Sequence, residues 1–382
     1  MVDATEAEMV AVLERLVTAE TPSDDLDLMG VGMRLAAQII EEIIGVVPES
    51  LDVLGRPQLR VRGEVGGVLV LCHLDTVWPT GTIERWPFTV TDGRATGPGA
   101  FDMKAGLVQA LFAMRGLTAL AGVTLIVTSD EEIGSPSSQG FIEDEARRAR
   151  CVLVLEPGLG DRVKVARKGI SMYKLSITGR AAHAGLEPER GINALVELAA
   201  QVPIIAAISN PAVGTTVTPT RSRAGTVINT VPAAAEVDID VRAWSIDEQE
   251  RVDRAISTLS PTLPGALLAI SGGINRPPLE ERRSTALVQL VEECAASLGE
   301  PPLGTARVGG ASDGNFTGAI GVPTLDGLGA VGDGAHAEGE YVEVAMMPRR
   351  AALLRALLAR ILAGADVAGP DDSDAASPEA AT

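Results

Sequence analysis

Apolar positions recur at helical spacing through Met9–Leu16 and Leu28–Ile44, with Thr21-Pro22-Ser23 as a break, which predicts two helices at the start of the chain. The run Gly67-Val68-Leu69-Val70-Leu71-Cys72 is continuously apolar and ends in a turn, as a strand covered on both faces would be. Val123–Val127 and Cys151–Leu155 repeat that pattern, and helical patterns at Lys104–Ala119 and Gly140–Ala149 lie between the runs. Strands alternating with helices in this way predict an α/β fold with a mainly parallel sheet. Near Gly169 the period changes. Met172–Ile177 and Val237–Val241 alternate apolar and polar residues, which suits strands with one solvated face. With helices at Ile192–Ile208 and near Asp247–Leu259 they form a β-α-β-β-α-β block. The α/β pattern then resumes with a helix at Ser284–Leu298, a strand at Val322–Asp326 and a helix at Met347–Ala363. The expected organisation is a larger α/β domain over 1–168 and 277–364, an inserted α+β domain over 169–276, and a disordered acidic tail over 365–382.

Composition narrows the partners. The 382 residues carry 32 basic and 51 acidic side chains, a net charge of −19, and 46 % are hydrophobic. A chain this acidic lacks the basic surface that nucleic acid or an anionic membrane requires. No apolar run reaches the length of a spanning helix, and Met1–Arg15 has no secretion-signal pattern, so the expected location is cytoplasmic. Cys72, Cys151 and Cys294 are far apart with no Cys-x-x-Cys pair, which reads as three small core residues rather than a disulfide framework.

The three histidines each sit in Gly- or Asp-flanked stretches rather than on an apolar helical face. His73-Leu74-Asp75 follows the first buried strand, Asp130-Glu131-Glu132 the second, and Glu156-Pro157 ends the third. Ligands of open α/β sheets gather outside the carboxyl ends of the strands, so chain direction alone brings these groups to one edge. Gly97-Pro98-Gly99-Ala100-Phe101-Asp102 adds a carboxylate on a punctuated loop before a helix, and Gly334-Ala335-His336 adds a second imidazole. Imidazole with carboxylate and no nearby thiol suits zinc, with cobalt or manganese as substitutes. His73, Asp102, Glu132, Glu156 and His336 are too many ligands for one tetrahedral ion. They fit two ions, roughly 3.5–4 Å apart, sharing a bridging carboxylate, for which Asp102 is the natural choice. Adjacent side chains at Glu131 and Glu132 diverge, so one can ligate while the other acts as general base. Asp75, two residues from His73, can hold that ring in place. Taken singly, each motif has a plainer reading as a solvated turn or a cap; their joint arrival at strand ends points to a metal site.

The runs His73-Leu74-Asp75-Thr76-Val77-Trp78, Gly97-Pro98-Gly99-Ala100-Phe101-Asp102-Met103-Lys104-Ala105-Gly106, Ser129-Asp130-Glu131-Glu132-Ile133-Gly134-Ser135 and Gly179-Arg180-Ala181-Ala182-His183-Ala184-Gly185 resemble the co-catalytic di-zinc exopeptidases and deacylases. That family includes carboxypeptidase G-type glutamate carboxypeptidases, succinyl-diaminopimelate desuccinylases, acetylornithine deacetylases and aminoacylases. The resemblance is strongest to the carboxypeptidase G type, through Trp86-Pro87-Phe88, Gly97-Pro98-Gly99 and Glu340-Tyr341-Val342. It implies that His73 and His336 are terminal ligands of separate zincs bridged by Asp102, with Glu156 on the His73 metal and Glu132 on the His336 metal. It implies Glu131 as general base, Asp75 as the residue orienting His73, and a cis peptide after Asp102. It implies that the inserted domain is a lid and homodimer contact, with His183 reaching across the dimer to polarise the scissile carbonyl. Asn229, Arg242 and Arg276 resemble substrate-contacting residues, with Arg276 gripping a free carboxylate, and Gly309-Gly310 would line the pocket by backbone. Met103 departs from the pattern, standing where the carboxypeptidase G type carries a second acid.

The resulting expectation is a di-zinc enzyme that hydrolyses an amide to release an amino acid, foremost C-terminal glutamate from peptide or folate-like conjugates. An N-acyl-amino-acid deacylase is the alternative on the same scaffold. A non-catalytic dimeric binding protein is the rival from another class, and Glu131 beside five ligands argues against it.

Overall fold

The structure, a computed structural model, describes residues 5–368. It divides into two compact units: one takes the chain up to Ala166, Glu280–Val308 and Ser312 onward, the other Arg167–Leu279 with Gly309–Ala311.

The first unit opens with helices Glu6–Thr18 and Leu26–Ile44. Thr5 and Glu8 form a reciprocal capping box on the first, Asp25 caps the second through the Leu28 N–H, and Gly45 closes it at φ 71°. The main sheet has six strands in the order Glu49–Val53, Arg56–Val61, Val123–Thr128, Val68–His73, Cys151–Val154, Thr324–Leu325. The last four pair in parallel, and the first two add an antiparallel hairpin on one edge. Val68, Val70 and Cys72 face one core, while Leu69 and Leu71 face another with Ile142, Ala146 and Phe316. Covering on both faces explains why these strands are uninterrupted apolar runs in the sequence. Helix Ala105–Met114 is buried at every residue. It lies so close to the sheet that a Cβ on Gly106 would sit 2.1 Å from the Leu155 carbonyl oxygen.

The second unit is a four-stranded antiparallel sheet in the order Thr216–Ala224, Ala234–Ala243, Gly169–Thr178, Leu267–Arg276. Helices Ala194–Ala206 and Ile246–Ser257 complete the β-α-β-β-α-β order. Val237, Ile239 and Val241 pack with Leu198, Ile205, Val252 and Ile256 in its core. The intervening Glu236 and Asp238 pair with Lys174 at 3.6 Å instead.

Several elements differ from the pattern-based expectation. The helix expected over Lys104–Ala119 ends at Met114, because Gly116 turns the chain at φ 76° before a short turn at Leu120–Gly122. The Val322–Asp326 strand is reduced to Thr324–Leu325. The hairpin Glu49–Val61 and a small sheet of Thr89–Thr91, Arg94–Thr96, Gly332–Asp333 and Tyr341–Glu343 had no apolar run to announce them. Of the expected tail, residues 369–382 lie outside the described residues. Its first residues pack rather than trail away: Val367 is buried, and Arg150 donates to the carbonyls of Ile361 and Ala365 at 3.1 and 2.8 Å. The three cysteines are buried and unpaired with one another. Among the described residues, no helix is long and apolar enough to cross a membrane.

Candidate metal centre

Parallel pairing brings the strand ends level. His73 lies opposite Thr128, and Leu71 opposite Val154, so His73, Glu131-Glu132 and Glu156 emerge at one edge of the first unit. Asp102 arrives from the other side, on the loop that begins with Gly97 and Gly99, and the Asp102–Met103 peptide is cis. His336 sits at φ 63°, in the left-handed region that side chains larger than glycine rarely adopt.

Asp102 stands between the two imidazoles. Its Oδ1 is 3.5 Å from His73 Nε2 and its Oδ2 is 3.4 Å from His336 Nε2. Glu156 Oε1 approaches the same His73 nitrogen at 3.4 Å, and Glu132 Oε2 approaches His336 Nε2 at 3.0 Å. The five residues therefore form two sets, His73 with Glu156 and His336 with Glu132, each taking one oxygen of Asp102. A carboxylate oxygen of Glu131 lies within 4.8 Å of ligand atoms of His73 and Glu156.

Asp75 is fully buried and organises this edge. Its oxygens accept the Glu131 N–H at 3.1 Å, the Glu132 N–H at 3.0 Å and the Ser23 hydroxyl at 2.8 Å. Oδ1 also lies 3.3 Å from His73 Nδ1, whose nearer partner is the Asp75 backbone carbonyl at 3.0 Å. One side chain thus fixes both the first imidazole and the backbone of the paired glutamates. Met103, the departure noted in the sequence, is buried with its sulfur on the His73 N–H at 3.2 Å.

The electrostatics call for cations. Burial works against charge on His73, yet Asp102, Asp75 and Glu156 raise its pKa well above the ordinary value. Hydrogen bonds from Asp102 and Glu132 push His336 up to about 11. Burial would raise the Asp102 pKa, but His336 and His73 outweigh it and hold this carboxylate far below the usual range. Burial raises Glu132. The carboxylates of Asp75, Asp102, Glu131, Glu132 and Glu156 outnumber the two imidazoles, and buried negative charge is tolerated only when paired or metal-bound. His73 Nε2, Asp102 Oδ1 and Glu132 Oε1 are moreover buried without a hydrogen-bond partner. Unsatisfied nitrogen and oxygen atoms converging on common points are what a pair of divalent ions would satisfy, so the donor set fits the expected metals.

The remaining expected residues belong to the second unit. His183 is exposed and bridges Thr230 in antiparallel fashion, its Nδ1 accepting the Gly185 N–H at 3.1 Å. Asn229 is held beside it, its carbonyl accepting the Ala184 N–H at 2.9 Å. Arg242 forks onto Asp240, both contacts at 2.9 Å. Arg276 is buried at a bulge, with its carbonyl bound by Gln249. Gly309 and Gly310 are exposed, and Arg167 donates to the Gly310 and Ala311 carbonyls at 3.2 and 3.3 Å.

Several buried polar residues around the centre escaped the sequence reading. Ser23 supports Asp75, and Asp130 gathers the Ser137 N–H, the Ser137 hydroxyl and the Ser138 N–H on one oxygen. Asp313 accepts from Thr128 and Ser135, and Glu340 accepts the Gly99 N–H. Asp130 gave a signal as the first of three consecutive acids, and Glu340 stood in the family-like run Glu340-Tyr341-Val342 without a role being read for it; Ser23 and Asp313 become neighbours of the centre by folding alone.

Residues 69–360 match the model of peptidase family M20/M25/M40. The chain is 30 % identical over 379 residues to carboxypeptidase G2 of Pseudomonas sp. (strain RS-16), covering 93 % of this chain and 90 % of that protein. It is also 30 % identical to succinyl-diaminopimelate desuccinylase 2 of Shewanella loihica, covering 75 % of this chain and 83 % of that one. Among solved structures it is similar to the Bacillus subtilis YXEP protein, a dinuclear metal binding peptidase from the M20 family. The TM-score is 0.63 at 16 % identity, over 94 % of this chain and 98 % of that one. The family match and the strand-end cluster of imidazoles and carboxylates agree: the chain belongs to peptidase family M20/M25/M40 and is a metal-dependent hydrolytic enzyme.

Proposed function

We propose that this enzyme holds two zinc ions per subunit and hydrolyses an amide bond to release an amino acid, foremost a C-terminal glutamate from peptide or folate-like conjugates. The observation that carries the reading is the division of Asp102 between two imidazole–carboxylate sets. His73 and Glu156 would hold one ion, His336 and Glu132 the other, with Asp102 shared. The ions would supply Lewis-acid polarisation of the carbonyl and a more acidic attacking water.

The chain's own residues then do the proton work. Glu131 takes a proton from the attacking water as a C–O bond forms and the carbonyl π electrons move onto its oxygen; when the C=O bond re-forms, the amide C–N bond breaks and Glu131 delivers the proton to the departing amine. Asp75 keeps Glu131 in register by binding its N–H. His183 and Asn229, held on adjacent segments of one chain, are proposed to stabilise the developing oxyanion together, both from the partner of a homodimer. Arg276 is proposed to bind the substrate's free carboxylate through its planar fork, with Arg242 as a second substrate contact and Gly309-Gly310 bordering the substrate. The reading places the enzyme in the cytoplasm.

Identity to carboxypeptidase G2 over 93 % of the chain supports the carboxypeptidase reading. The equal identity to a desuccinylase supports the deacylase alternative. Purified zinc-loaded protein assayed against glutamate-ending peptides, folate-type conjugates and N-succinyl or N-acetyl amino acids separates them. Glutamate release supports the first reading. Release of succinate or acetate alone replaces it with the second, and inertness toward all of them overturns both.

A further inference from the structure

We propose that Glu340 is a positioning residue that sets the spacing of the second metal position by tying the Asp102 loop to the His336 loop. This rests on the two-metal reading above. Strand Tyr341–Glu343 pairs antiparallel with Arg94–Thr96, and Tyr341 lies opposite Thr96. The residues just outside that pair are Glu340, which closes the His336 loop, and Gly97, which opens the Asp102 loop. Glu340 is completely buried, and its carboxylate accepts the N–H of Gly99. On its own side, the Glu340 N–H binds the Ala337 carbonyl at 3.0 Å, and the Ala337 N–H binds that of Gly334 at 2.9 Å, so His336 sits inside a turn that ends at Glu340. On the other side, Gly99 has φ 73° and accepts the Lys104 N–H at 3.1 Å across the segment that contains Asp102. A Cβ on Gly99 would meet Thr76 Cγ2 at 2.4 Å, so the loop lies tight against the sheet edge at a point where no larger residue fits.

The charge arrangement supports a structural tether. Burial and the nearby Asp102 push the Glu340 carboxyl up to about 8, against the Gly99 N–H, Trp78 and the charge of Lys104, which is nearly fully buried with Nζ on the Ala19 carbonyl at 3.2 Å. The glutamate thus sits between a buried cation and the bridging carboxylate. A buried carboxylate is costly to retain unless it is bound, and here its bound partner is the backbone of the loop that presents a metal ligand. The second position has both His336 and one oxygen of Asp102 on the tethered loops, with Glu132, whereas the first keeps His73 and Glu156, which leave their strands directly, and meets the tether only through the other Asp102 oxygen.

The test is a zinc titration of full-length wild type and of Glu340→Ala, Glu340→Gln and Glu340→Asp against a chromophoric chelator, with circular dichroism for fold. Supporting groups behind metal ligands are commonly worth about 10–100-fold in affinity. Glu340→Ala should therefore weaken the second zinc equivalent by that order and leave the first nearly unchanged. Glu340→Gln, whose amide oxygen can still accept the Gly99 N–H, should recover most of the loss. Excess zinc should restore kcat in Glu340→Ala with KM unchanged. If Glu340→Ala does not fold, Glu340→Asp carries the comparison, since a carboxylate one methylene shorter should weaken only the second equivalent. Equal weakening of both equivalents, or of neither, overturns the tether. Failure of the wild type to take up two zincs would instead overturn the two-metal reading.

Discussion

Replacing Asp75 with asparagine tests how the centre is organised, because it keeps shape and removes acceptors. Asp75 receives three hydrogen bonds through its carboxylate, from Glu131 N–H, Glu132 N–H and the Ser23 hydroxyl. An amide offers one acceptor oxygen, and its NH2 must face one of the two glutamate N–H groups. The better orientation turns the NH2 toward Ser23, whose hydroxyl can rotate to accept, and leaves the Glu132 N–H opposed by a donor. One buried donor without a partner costs about 1–3 kcal/mol. His73 is less affected, since the Asp75 carbonyl remains on its Nδ1 at 3.0 Å. The expected outcome is a metal-free protein less stable by about 2 kcal/mol. Zinc affinity should fall about 10–100-fold, because Glu132 is a proposed ligand, and kcat at saturating zinc should change less than affinity, because the Glu131 N–H keeps its acceptor. Urea unfolding in chelator measures the first, and steady-state kinetics with a zinc titration the second. If Asp75→Asn matched wild type in both stability and zinc affinity, the carboxylate would not organise the paired glutamates, and the geometric argument for Asp75 would be refuted.

Other changes separate the roles of neighbouring groups. Glu131→Gln should retain two zincs by metal analysis while turnover falls at least about 100-fold, the lower end of what a positioned general base contributes; wild-type kcat would exclude Glu131 as the base. Asp102→Ala should leave fewer than two zincs per chain after gel filtration, since both imidazole sets lose an oxygen; two retained zincs would remove Asp102 from the bridge. Arg276→Lys should lower kcat/KM about 10–200-fold, because the charge-assisted fork at stake is worth about 1.5–3 kcal/mol. An amidated substrate should not distinguish this variant from wild type, and equal slowing on both substrates would make Arg276 structural.

What could be read in the sequence follows from which forces are local. Val68–His73, Val123–Thr128 and Cys151–Val154 are covered on both faces, so burial itself writes uninterrupted apolar runs, and parallel order then places their terminal residues together. His73, Glu131, Glu132 and Glu156 were legible for that reason. Asp102 and His336 were legible through glycine-punctuated loops, whereas the distances from Asp102 to His73 and to His336 needed the three-dimensional approach of segments far apart in the chain. The roles of Glu340 and Asp313 left no such trace, although Glu340 stands in a run that resembles the family. Each is a single acid whose partner is a backbone N–H or a hydroxyl that any sequence supplies. The hairpin Glu49–Val61 was missed because it lies at the sheet's edge, where its first strand has no buried residue. The same physics separates the two kinds of polar residue at the centre. The proposed metal ligands are recognisable because imidazole and several acids at strand ends are improbable without an ion. The groups that hold those ligands in place are individually ordinary and become identifiable only when their complete burial meets a named partner. On the proposed reading the ligand geometry depends on residues that the chemistry of the ligands does not announce, which is why Asp75 and Glu340, rather than the proposed ligands themselves, are the informative positions to change.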